Sequence, residues 1–284
     1  SRGGAMVDDK ERALLVAGAF GGPLTISVYT PLRNAITLGS REPHAAALAL
    51  YRKTFEGGLK AGWVGWAWPS LFSCPQFLAM GPLYHLYADT LGSGNLAVVP
   101  TALTESLISF GSQARNAQEA FNVTVAASER VALQAPWDPR SFAFIPHVMR
   151  NMFAMSGIRV LAHPCTEAIQ GGCRLVGAAP DRGVVQAVSD FVSSIAAAAL
   201  SMPFNQLFNY HATQANGSKS FGQLLSSSRD FLFTQYLERA PSGRLRLSAT
   251  VLRDAFMRCA YIAPQLSTYA TIERLCVSRL SNSK

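Results

Sequence analysis

The sequence predicts an all-α membrane protein whose six transmembrane helices fall into three degenerate repeats, and three observations predict it. Of its 284 residues 49% are hydrophobic and only 15% charged, where soluble domains carry about 25% charged residues. Three windows, Ala13–Leu32, Ala61–Ala88 and Phe191–Ser218, contain no Asp, Glu, Lys or Arg, and a spanning helix needs about 20 mainly apolar residues. The ends of the apolar segments also resemble one another, which is the mark of a repeat architecture.

The repeats divide the chain at 1–92, 93–178 and 179–284, and the spans run roughly over 12–37, 66–89, 96–120, 141–166, 186–212 and 247–273. The odd-numbered spans end on Thr30-Pro31-Leu32-Arg33-Asn34-Ala35-Ile36, on Gln113-Ala114-Arg115-Asn116-Ala117-Gln118 and on Met202-Pro203-Phe204-Asn205-Gln206-Leu207-Phe208. The first two share Arg-Asn-Ala in register. The even-numbered spans align through Ser70-Leu71-Phe72-Ser73, Met149-Arg150-Asn151 and Leu252-Arg253-Asp254, so Phe72, Arg150 and Arg253 are equivalent. Pro31, Pro75 and Pro203 are expected to kink their helices, because proline removes an intrahelical hydrogen bond and crowds the preceding turn. Gly18 and Gly22, four residues apart, suit a close helix crossing. The polar stretches after the odd spans have the length for short surface helices, and His44–Gly58, with Leu48, Leu50, Tyr51, Arg52 and Lys53, is the clearest amphipathic candidate.

The net charge of +8 is scattered between apolar windows, which reads as loop and lipid-headgroup charge rather than a nucleic-acid face. Cys74, Cys165, Cys173, Cys259 and Cys276 lack C-x-x-C spacing, and the five histidines fall in separate segments, so no metal site is expected. Asn122-Val123-Thr124 and Asn216-Gly217-Ser218 match the glycosylation sequon, a pattern short enough to arise by chance. Ser1–Arg12 is short and polar and does not read as a cleavable signal. No Gly-rich phosphate loop or nucleophile elbow occurs, and no enzymatic activity or catalytic residue is expected.

These residues, over nearly the whole chain, resemble the mitochondrial carrier family. That family carries P-x-[D/E]-x-x-[K/R] after each odd helix, then a glycine and an aromatic-basic-glycine element, then a helix with spaced prolines. Repeat one follows this order through Ala17-Gly18, Pro31, Gly58, Trp63-Val64-Gly65, Pro69, Pro75 and Tyr84. The resemblance implies a multi-pass protein of the mitochondrial inner membrane, lipid partners, no nucleic acid and no cofactor. It also implies a bound cardiolipin at Gly58, Trp63 and Gly65, a weaker site here because Val64 replaces the basic member.

The departures carry the functional reading. In the family, acidic and basic residues after each proline pair between repeats and close one side of the cavity. Here the acidic positions hold Arg33, Arg115 and Asn205 and the basic positions Ile36, Gln118 and Phe208. The second gate projects onto His85, His163 and Leu266, also without opposite charges. Alternating access needs two states, each biased by its own contacts. The leading expectation is therefore a non-transporting structural subunit of a respiratory or ATP synthase assembly, with its cavity plugged. The alternative is a carrier exchanging a small anion, whose substrate contacts would be Phe72, Arg150, Asn151, Arg253 and Asp254, since an ionisable residue inside a membrane marks a functional position.

Overall fold

The computed structural model describes residues 2–177, 181–214, 219–240 and 243–282, with side chains from Leu15 to Thr268 apart from Ala17 and Ile158, and at a few positions beyond. The sequon at Asn216–Ser218 lies outside the described residues. The chain is mainly helical: α1 Arg2–Gly39, α2 Ala47–Lys53, α3 Ala67–Leu91, α4 Gly94–Asn122, α5 Phe144–Ser156, α6 Ala162–Leu175, α7 Arg182–Ala212, α8 Phe221–Tyr236 and α9 Ala249–Asn282. A π-helical turn, Gly157–Leu161, joins α5 to α6 without a break. A short antiparallel hairpin, β1 Leu237–Arg239 and β2 Leu245–Leu247, pairs Leu237 with Leu247 and Arg239 with Leu245.

Local chemistry sets these limits. Gly92, at φ +63°, ends α3 in the left-handed region, and the Ser93 hydroxyl accepts the Leu96 N–H to open α4, so two antiparallel helices turn within two residues. Ser220 and Gln223 form a reciprocal capping box at the start of α8. Pro31, Pro75 and Pro203 each sit inside an unbroken helix. A surface helix forms after α1 and after α7, but not after α4. There the segment holds only a one-turn 3-10 helix, Ala127–Glu129, and then runs extended, because α4 itself binds it. Asn122 donates to the Val131 carbonyl and accepts its N–H, and Gln118 accepts the Gln134 N–H at 2.7 Å.

The long elements pack as a closed ring. α1 lies against α3 and α9, α3 against α4, α4 against α5, α5 and α6 against α7, and α7 against α9. The predicted small-residue pair sits at the α1–α3 crossing: a Cβ at Gly18 would stand 3.1 Å from the Phe77 backbone, and one at Gly22 2.6 Å from the Phe77 ring. Gly157 plays the same part against Ala197 and Ser193 of α7.

Polarity is distributed the reverse of a soluble core. Among the described residues buried polar and charged side chains outnumber buried hydrophobic ones, and many of the largest apolar residues face outward. Phe20, Leu24 and Val28 form an exposed stripe on α1, Leu96, Val99, Leu103 and Leu107 one on α4, and Val184, Val188, Val192 and Ile195 one on α7, all at spacings that keep one helix face. Three apolar clusters remain inside, around Leu38 and Met257, around Phe77 and Met80, and around Phe110 and Phe208.

The six predicted spans coincide with long helical elements, but the apolar criterion separates them. Among the described residues only α7, Arg182–Ala212, is long and apolar enough to cross a membrane by length and composition. By that measure the expectation of six spans is not supported, and polar inward faces are common to these helices. Thr25, Thr30, Arg33, Asn34 and Thr37 on α1, and Ser106, Ser109, Ser112, Gln113 and Asn116 on α4, are all buried, and each lowers its helix's mean hydropathy.

Candidate functional site

Two layers inside the ring bring the predicted residues together. The first lies where the C-terminal ends of α1, α4 and α7 meet. Asn116 donates to the Asn34 side-chain oxygen at 3.2 Å and to the Val64 carbonyl at 3.1 Å, while Asn34 donates to the Gly62 and Val64 carbonyls at 3.0 Å. Gln118 donates to the Ala212 carbonyl at 3.1 Å. Thr37 donates to Asn209 at 3.4 Å, and Arg41 donates to the Thr213 hydroxyl at 2.9 Å and to the Thr213 carbonyl. α1, α4 and α7 are thus joined pairwise without an ion pair. Arg41 also lies over the Phe121 and Tyr210 rings, and burial draws its pKa below the ordinary guanidinium value.

These partners stand at telling separations. Asn34 and Asn116 are 82 residues apart, as are the two Arg-Asn-Ala segments, and Thr37–Asn209 and Arg41–Thr213 are 172 apart, as are Pro31 and Pro203. Side chains at matching positions of similar helices touch where those helices converge. The sequence reading fixed on the charges beside these amides and passed over Asn34, Thr37, Asn116 and Asn209. The Arg-Asn-Ala recurrence was the signal that carried two of them.

Arg33 and Arg115, at two of the positions expected to be acidic, are held by different partners. Arg115 turns along its own helix to Glu119 at 2.8 Å and lies over the Trp68 ring. Arg33 points inward, bonded to the Gln113 carbonyl at 3.3 Å, and lines the cavity together with Tyr261. Ile36 and Phe208 are core residues. At the opposite end His85 and His163 are exposed, His163 lying 3.8 Å from Glu167 one turn along the same helix, and Leu266 lines the cavity described next.

The second layer is a cavity of about 80 Å³ lined by Arg33, Glu105, Arg150, Asn205, Arg258 and Tyr261 among others. One water needs roughly 10–15 Å³ on such a measure, so the space admits several waters or a small solute. Arg150 is 5% exposed. It donates to Asn205 Oδ1 at 3.0 Å and to Gln113 Oε1, and its guanidinium stacks 4.2 Å from the Phe208 ring centroid. Its Nε is buried with no partner. Asn151 also lines the cavity; it donates to the Ser106 hydroxyl at 3.0 Å and lies 3.1 Å from His147 Nε2.

Arg253 and Asp254 are placed elsewhere. Arg253 donates to the carbonyls of Gly39, Glu42, Pro43 and Ala45 at 2.7–3.0 Å and pairs with Asp254. It thereby satisfies carbonyls around the C-terminus of α1, where a cation also meets the negative helix end. Asp254 is 1% exposed and accepts from Gln235 and Tyr236 as well. Burial, reinforced by that carboxylate, raises the Tyr236 hydroxyl pKa. Phe72 packs on Trp68 and does not line the cavity. Arg258, not singled out from the sequence, takes the inward position on α9.

The residues of the expected lipid element also make contacts within the chain. Gly58, at φ +97°, opens a five-residue 3-10 turn, Trp63 donates to the Ser27 carbonyl at 2.9 Å, and Gly65, at φ +76°, leaves room for Asn116, whose amide nitrogen would stand 2.5 Å from a Cβ there. The element anchors the connection between α1 and α3 to α1 and α4. No metal-binding group of His, Cys, Asp and Glu occurs among the described residues. Comparison with protein-family models finds no match to this chain, and no curated protein matches it.

Proposed function

We propose that this chain is a multi-pass protein of the mitochondrial inner membrane, carrier-like in its six spans and three repeats, that serves as a non-transporting accessory subunit of a respiratory or ATP synthase assembly. The observation that carries the reading is the closure of α1, α4 and α7 by buried amide and hydroxyl hydrogen bonds rather than by ion pairs. A gate that opens must exchange its contacts for equivalent ones in a second state. Here the gate bonds run largely to backbone carbonyls of fixed helices and turns, and the His85, His163 and Leu266 end offers no charged set to replace them. The exposed apolar stripes on α1, α4 and α7 supply surfaces for lipid and for neighbouring subunits, and helices satisfy their backbone groups internally, as a bilayer demands.

Native gel electrophoresis of mildly solubilised mitochondria, with mass spectrometry of each band, tests this. The chain should migrate within a high-mass assembly and leave it on Leu103→Arg and Leu107→Arg substitution on α4. Migration only at the mass of the free chain overturns the subunit reading.

One observation favours the alternative, exchange of a small anion: three arginines and a single glutamate line the central cavity. In that reading Arg150 remains an anchor and Arg258 replaces Arg253, which is committed to carbonyls and Asp254.

A further inference from the structure

We infer that the central cavity holds one small oxyanion, a phosphate or carboxylate group, as a resident counter-ion between Arg33, Arg150 and Arg258. This inference does not depend on whether the chain is a subunit or a carrier, because it concerns occupancy and not passage.

The charge balance is the starting point. Arg33 comes from α1, Arg150 from α5 and Arg258 from α9, and all three are buried, at 8%, 5% and 4% exposure. Guanidinium groups stay ionised in proteins. The single acid on the wall, Glu105, is engaged by Gln76. None of the three arginines forms an ion pair among the described residues. Their hydrogen-bond partners among the described residues are neutral: the Gln113 carbonyl for Arg33, Gln113 and Asn205 for Arg150, and Ser201 at 3.2 Å for Arg258. A water-poor interior that gathers three cations around one carboxylate is costly unless an anion joins them.

The unused donors point to the same ligand. Arg150 Nε is buried with no partner, although its other nitrogens are held firmly and its ring contact with Phe208 fixes the guanidinium plane. Among the described residues Arg258 is hydrogen-bonded through its Nε, to Ser201, and it lines the same cavity. A planar fork with free N–H groups matches two oxygens of a phosphate or carboxylate. The volume of about 80 Å³ suits a group of a few heavy atoms and is too small for a nucleotide. The anion can be a free ion or the phosphate of a lipid whose tails leave between helices, and the two sources share one recognition chemistry.

The test uses the full chain purified in detergent and exchanged into chloride buffer. Calorimetric titration with inorganic phosphate should give saturable binding near one per chain, weakened at least tenfold by Arg258→Gln and by Arg33→Gln. The melting temperature supplies a second readout. In chloride alone Arg258→Gln should melt at or above the unsubstituted protein, because a like charge is relieved, whereas in saturating phosphate the unsubstituted protein should melt higher. A purely structural Arg258 would lower the melting temperature equally in both buffers. Native mass spectrometry separates the sources: a phospholipid retained by the unsubstituted chain and lost from Arg258→Gln assigns the anion to lipid. Absence of both phosphate binding and a retained lipid, or the same lipid and phosphate behaviour in Arg258→Gln and Arg258→Lys as in the unsubstituted chain, overturns the inference.

Discussion

The two polar layers inside the ring are built from the same helices and differ in how their donors are used. Where α1, α4 and α7 converge, Asn34, Asn116, Gln118 and Thr37 find partners on a neighbouring helix or turn. At the central cavity Arg33, Arg150 and Arg258 meet only neutral groups, and one guanidinium donor stays empty. A neutral layer whose amide and hydroxyl donors are engaged contributes rigidity, because each bond broken inside leaves a desolvated group, although the Asn116 oxygen itself is buried without a partner among the described residues. A layer with surplus donors is a receptor. The difference teaches that a helix junction without ion pairs is not a hole: short amides and backbone carbonyls close it, while the buried arginines gather at the cavity.

The largest way to break this contrast is at neither layer but at the clamp that positions α1. Arg253→Ala removes bonds to four carbonyls and strips Asp254 of its cation while the carboxylate stays buried. Breaking a buried pair from one side costs about 3–5 kcal/mol. Denaturant unfolding in detergent should show that loss, with Arg253→Lys recovering little of it, since an ammonium cannot reach four carbonyls.

A smaller effect is expected within the neutral layer. Asn116→Leu leaves the Asn34 oxygen without its donor, while the Val64 carbonyl keeps the one from Asn34, a cost of about 1–3 kcal/mol. Gly65→Ala acts on the same joint from the other side. It forces a side chain into the φ +76° conformation and against the Asn116 backbone, and strain of this kind costs about 1–3 kcal/mol. Because both substitutions disturb one joint, the double variant should lose less than the two single losses together. Full additivity, measured by a double-mutant cycle, would mean that the α1–α4 seam does not act as a unit.

The least effect belongs to the surface. Arg246 pairs with Glu238 across the hairpin at 2.9 Å with both side chains exposed, and Arg246→Ala should change stability by under about 1 kcal/mol. A larger loss would give the hairpin a structural part that its exposed Leu245 and Leu247 do not suggest.

Much of the helical plan was legible in the sequence, and for physical reasons. The charge-free windows, the Gly18 and Gly22 pair and the recurrence of Arg-Asn-Ala are local patterns; the pair and the recurrence fall on helices, and the windows overlap α1, α3 and α7 without sharing their limits. What was not legible depended on rotation and on loops. Arg253 and Arg258 are five residues apart, and at 3.6 residues per turn their side chains leave α9 roughly 140° apart, so an alignment that matched Arg253 to Arg150 chose the face turned toward the end of α1. Glu105 and Arg258 both lie within predicted spans, and weighing every ionisable residue there would have found them. The extended segment after α4 carried no local signal, because Asn122 and Gln118 bind it from a helix that precedes it.

The central claim is that the joined ends of α1, α4 and α7 do not part, so that an anion is held and not passed. Exchange of radiolabelled phosphate, carboxylates and nucleotides into liposomes containing the purified chain tests this most directly. The neutral closure predicts uptake equal to protein-free liposomes, even where calorimetry shows phosphate bound. Saturable exchange that disappears in Arg150→Ala would contradict it and establish the cavity as a transport site.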